Sequence, residues 1–197
     1  MIIPCFDADM DTHSADEPRV TSASRDVSAD PAAVFELIAD PALQPRWDGN
    51  DNLAEAVPGQ RVTAVGQVFT TTLTKGGVRE NHVVELEEGR RIAWLPATAG
   101  EPPAGHLWRW ELEALGPSRT RVTHTYDWSG LTDENRFPRA RATGPAQLLA
   151  SLDRLAALVE QAPDGRDQFA AVLDRVLQRR EAPDEEGGDA EIVVVEQ

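Results

Sequence analysis

From residue 106 to residue 128 the sequence alternates rings with polar residues around a central turn, and few folds can accommodate such a segment. His106, Trp108, Trp110, Leu112 and Ala114 recur at every second position, and so do Val122, His124, Tyr126 and Trp128. Side chains alternate along a strand, so each set lies on one face. Gly116-Pro117-Ser118 between them is a turn signal. Folded about that turn, the arms place Trp108 opposite Tyr126, Trp110 opposite His124 and His106 opposite Trp128. The other faces carry Arg109, Glu111, Glu113, Arg119, Arg121, Thr123 and Asp127, which suit water. The buried face is therefore aromatic and tipped with polar atoms. Rings of this kind suit a cavity wall, where they meet a ligand. The alternative is a packed core whose aromatics satisfy one another.

The flanking sequence reads as further short elements. Val20 to Ser28 is a strand. Asp30 caps a helix that starts at Pro31 and turns Val34, Phe35, Leu37 and Ile38 inward. Asp40-Pro41 ends it and opens a second short helix that finishes near Trp47. The chain then turns to β structure. Asn52 to Val57 and Arg61 to Thr74 are strand runs, and Lys75-Gly76-Gly77 is a tight turn. Val78 to Glu87 puts His82, Val84 and Leu86 on one face, and Arg91 to Leu95 puts Ile92 and Trp94 inward. Residues 96–105 form a Pro/Gly loop. Successive hairpins predict an antiparallel meander of six or seven strands. Residues 129–142 read as a polar loop. A helix from about Gly144 to Gln161 carries a stripe of Leu148, Leu152, Leu155, Ala156 and Val159.

The formal net charge of -15 is uneven. Of 34 acidic residues, 12 lie in residues 1–17 and 181–197, which leaves 22 against 19 basic residues in between. A near-neutral body without a basic patch argues against nucleic acid as a partner. The expected organisation is an acidic, disordered N-terminus (1–17), one folded domain (18–161), an additional helix (162–180) and an acidic tail (181–197). The sole cysteine, Cys5, permits no internal disulfide and fits a cytoplasmic protein. No signal peptide and no membrane span is recognisable.

Three stretches then carry a family resemblance: Val27-Ser28-Ala29-Asp30-Pro31-Ala32-Ala33-Val34-Phe35, Ile38-Ala39-Asp40-Pro41 with Trp47, and the strand ending at Tyr126-Asp127-Trp128 followed by the helix around Ser151 to Glu160. Their order resembles the START-like (SRPBCC, helix-grip) superfamily, in its bacterial polyketide cyclase/dehydrase-like branch, over roughly residues 18–161. The resemblance implies an α+β fold in which a curved antiparallel sheet wraps around a long C-terminal helix. It also implies an apolar cavity between them that takes lipids, polyketides or steroid-like rings. On that picture His82, Trp94, His106, Trp108, Trp110, His124, Tyr126 and Trp128 face the cavity. Leu152 meets it from the helix, and Trp47 and Phe69 close its ends.

The expected function is binding of a hydrophobic small molecule, without cofactor or metal. His82 and His106 lie about two strands apart, and His106 and His124 are two register steps apart, too far to share one ion at about 2 Å. An aromatase/cyclase or dehydratase using His124, His106 or Tyr126 in acid–base chemistry is the first alternative. A partner-binding protein working through residues 164–178 is the second. The loop arginines Arg136, Arg139 and Arg141 are expected as a solvated entrance, with a gate for an acidic head group as the other possibility.

Overall fold

A computed structural model describes residues 18–160. The helix predicted at 162–180, the acidic ends and Cys5 lie outside the described residues. Seven strands form one antiparallel sheet: β1 (Val20–Val27), β2 (Leu53–Glu55), β3 (Val68–Leu73), β4 (Val78–Glu87), β5 (Arg91–Thr98), β6 (Leu107–Gly116) and β7 (Arg119–Asp127). Their order across the sheet is β1-β7-β6-β5-β4-β3-β2, so the meander is closed on one side by the first strand. Among the described residues four α-helices accompany it: α1 (Pro31–Ala39), α2 (Gln44–Trp47), α3 (Phe137–Ala142) and α4 (Pro145–Glu160). The α+β, helix-grip expectation holds.

Local chemistry sets the elements as the sequence suggests. The Asp30 carboxylate accepts from the Ala32 amide at 2.8 Å, and Pro31 occupies the first turn of α1. Asp40 repeats the device for a 3-10 turn, accepting from the Ala42 amide at 3.0 Å. Along α4, Leu148, Leu152, Leu155, Ala156 and Val159 are all buried, against β1, β7 and α2. Each fully buried leucine contributes about 1.5–3 kcal/mol. Gly49 lets the loop after α2 press on this helix, because a Cβ there would come within 2.4 Å of the Ser151 amide nitrogen.

Four expectations need correction. Residues 61–67 are not strand: the Gln67 amide caps the Gln60 and Arg61 carbonyls, and its oxygen takes the Thr63 amide at 2.9 Å, so side chains occupy the backbone groups a strand would use. The loop 96–105 starts later, since β5 runs to Thr98. Residues 129–142 are not a plain loop: a 3-10 turn at Glu134–Arg136 leads into α3, whose Ala140 is buried and whose Phe137 is half-buried. The fourth concerns β4. A bulge between Val83 and Glu85 inserts an extra residue, so the period of two breaks there. Before the bulge Asn81 and Val83 face inward; after it Leu86 does, opposite Ile92. His82 and Val84 therefore turn to the outer face.

Candidate functional site

The hairpin of β6 and β7 folds in the expected register, with Trp108 opposite Tyr126 and Trp110 opposite His124. Through β5 the same face continues, with Trp94 opposite Trp108 and Ile92 opposite Trp110. Two aromatic rows result on the concave face. In the deeper row Trp110 is fully buried and stacks on His124 at 3.7 Å between ring centroids, 13° from parallel. Trp47 stands edge-on to Trp110 at 5.0 Å and is itself pinned by its indole N–H, which donates to the Leu37 carbonyl at 2.8 Å. In the shallower row Trp108 lies 4.4 Å from Tyr126, and Trp94 meets Phe69 edge-on at 5.5 Å. Leu152 of α4 is fully buried.

Two members of the expected set are displaced. His82 pairs with Val68 and Leu95 on the outer face, for the reason given by the bulge. His106 does not oppose Trp128, because the ladder ends at Leu107 and Asp127; its ring meets Tyr126 edge-on at 5.9 Å instead. Gly105, at φ +99°, makes that departure: a Cβ there would strike the Gly130 carbonyl at 2.1 Å. Trp128 is buried with Tyr126, Leu131, Ala140 and Leu148, and the Arg19 guanidinium lies 5.0 Å over its ring.

Four buried side-chain polar atoms of the described residues lack partners. Among the described residues, Trp110 Nε1, His124 Nδ1 and Gln44 Nε2 are buried with no hydrogen bond, and so is His82 Nε2 on the outer face. Burial holds the His124 imidazole down to about 3, against an opposing hydrogen bond to the Leu148 backbone. It holds His106 down to about 4, helped by the charges of Arg136, Arg139 and Arg79. It pushes the Tyr126 phenol up. Both rings are therefore neutral at physiological pH. Sequence reasoning missed Gln44 and Asn81. Asn81 is 4% exposed and donates to Thr71 Oγ1 at 3.3 Å, and an even strand period hid it. Gln44 sits in a helix of four residues, too short for periodicity to show a face.

Among the described residues, no three His, Cys, Asp or Glu side chains converge as a metal would need, and no helix is long and apolar enough to cross a membrane. The family described as polyketide cyclase / dehydrase and lipid transport matches residues 18–160. An uncharacterized protein of Mycobacterium tuberculosis is 30% identical over 147 residues, which cover 68% of this chain and 63% of that protein. The chain thus spans less than two thirds of the length of the curated relatives it matches. A START superfamily protein of Mycobacterium smegmatis is similar in structure, with a TM-score of 0.52 at 14% identity over 72% of this chain and 97% of that one. A Mesorhizobium loti protein reaches a TM-score of 0.56 at 20% identity, over 74% of this chain and all of that one.

Proposed function

The chain belongs to the polyketide cyclase / dehydrase and lipid transport family, and from that premise we propose that the concave face of its sheet holds a hydrophobic, ring-bearing or lipid-like small molecule. The observation that carries the reading is the pair of partnerless atoms on the stacked rings, Trp110 Nε1 and His124 Nδ1. An indole N–H can only donate, and a neutral imidazole has one nitrogen that only accepts. Leaving such atoms buried and unmatched costs about 1–3 kcal/mol each. A guest hydroxyl can accept from the first and donate to the second, which offsets that cost. Trp94, Trp108, Tyr126 and Leu152 supply the apolar wall, and His106 and Trp128 lie toward its rim.

Holding is favoured over turnover. A general base works best when its pKa is near the working pH. His124 at about 3 and His106 at about 4 are weak bases. These rings serve better as neutral hydrogen-bonding groups that orient a guest.

Native mass spectrometry of the freshly purified chain, with organic extraction, tests the reading. A hydrophobic molecule should be carried through, and the uncharged probe N-phenyl-1-naphthylamine should brighten on the protein and dim again with Trp108→Ala. A protein that is empty and takes up no probe would mean that the rings merely fill space.

A further inference from the structure

Resting on that reading, we infer that the guest is an organic anion: an apolar body held by the rings, with one acidic group, such as a carboxylate, met by Arg79, Arg136 and Arg139 at the rim beside His106. These arginines come from separate parts of the chain. Helix α3 lies on the Tyr126–Trp128 end of the sheet, where Ala140 is buried in their cluster and Phe137 stands 5.6 Å from the Trp128 ring. Arg136 and Arg139 precede those two anchors by one residue each and are three apart, so they share one side of the turn. Arg79 comes from β4. It is opposite Thr71 and Thr98, two residues before inward-facing Asn81, and thus on the concave face at the same end.

Strand register and the seating of α3 bring the three charges to the same end of the concave face. All three act on the His106 ring, and Arg139 also acts on the Tyr126 hydroxyl. Arg136 is tied to the exposed Asp133 at 3.2 Å. Among the described residues, Arg79, which donates to the Val78 carbonyl at 3.3 Å, and Arg139 have no carboxylate ion pair, as is also true of Arg19 and Arg46, whereas Arg61, Arg109, Arg119, Arg121 and Arg154 are each paired with one. A chain with 34 acidic and 19 basic residues can readily pair its arginines. Two cations without a carboxylate partner at one end of an aromatic wall attract an anion.

A matched probe pair tests this on the full chain. N-phenyl-1-naphthylamine is uncharged, and 8-anilinonaphthalene-1-sulfonate is the same skeleton with one anionic group. At low salt the sulfonate should bind tighter by roughly tenfold, the reach of two part-exposed ion pairs. In Arg79→Gln/Arg139→Gln that preference should fall to near parity while binding of the uncharged probe stays unchanged. The outer-face control Arg119→Gln should keep the preference. Equal binding of the two probes, or a preference that survives the double substitution, overturns the anion and leaves the pocket standing. If neither probe binds, the pocket reading falls and this inference with it.

Discussion

The two faces of the sheet are made by the same strands, yet most polar groups of the outer face are paired, His82 Nε2 being the exception, while the stacked rings of the concave face keep two polar atoms unmatched. On the outer face, Glu85 takes Arg109 at 3.1 Å, Asp26 takes Arg119 at 2.7 Å and Arg121 at 2.8 Å, and Ser22 bonds Thr125 at 2.8 Å. A groove of about 320 Å³ there is lined by charges such as Glu87, Arg91, Glu111 and Arg121, which suits water rather than an apolar guest. On the concave face, one residue along from Arg109, Trp110 keeps its N–H buried and unmatched, and His124 its Nδ1. Folding alone does not require such atoms inside, since an isosteric apolar core would avoid their cost. On the function proposed above, a guest would offset that cost.

The comparison breaks first at Trp110. Trp110→Ala should destabilise the fold by about 3–5 kcal/mol, as for other large buried rings, read from chemical denaturation midpoints. A loss comparable to that of an outer-face residue would mean that the ring carries little of the core. The next test is pH. His124 has a folded value of about 3, below the ordinary value near 6.5, so between these the unfolded chain binds a proton that the folded chain does not. Its contribution is complete above about pH 6.5 and declines by about 1.4 kcal/mol per unit below it, or about 2 kcal/mol by pH 5. His106 acts in the same direction. Urea midpoints at pH 7 and pH 5 should diverge accordingly, and His124→Phe should lose much of that slope; an unchanged slope would place the titration elsewhere. The smallest effect belongs outside. Arg109→Ala, which cuts the half-exposed pair with Glu85, should cost at most about 1 kcal/mol and less in high salt.

Much of the site was legible because antiparallel pairing is local arithmetic. One turn at Gly116-Pro117-Ser118 and an even period suffice to put Trp110 on His124 and Trp108 on Tyr126. The arithmetic fails where the backbone departs from it. Val84 looks like any strand residue, but as the extra residue of a bulge it reverses the facing of His82 and brings Asn81 inward. The loop 129–142 reads as polar because its polar and charged residues outnumber its apolar ones, yet Phe137 and Ala140 suffice to seat α3 on Trp128 and Tyr126.

The residues by themselves determined the family, the helix-grip order of elements, the stripe on α4 and the aromatic character of one sheet face. Those depend on caps, turns and periodicities that act over a few residues. Tertiary structure decided which histidines face inward, which polar atoms lose their partners, and which arginines come to the same end of the sheet. Those depend on groups far apart in the chain, such as Arg79 and Arg139, and on desolvation that exists only when the layers close.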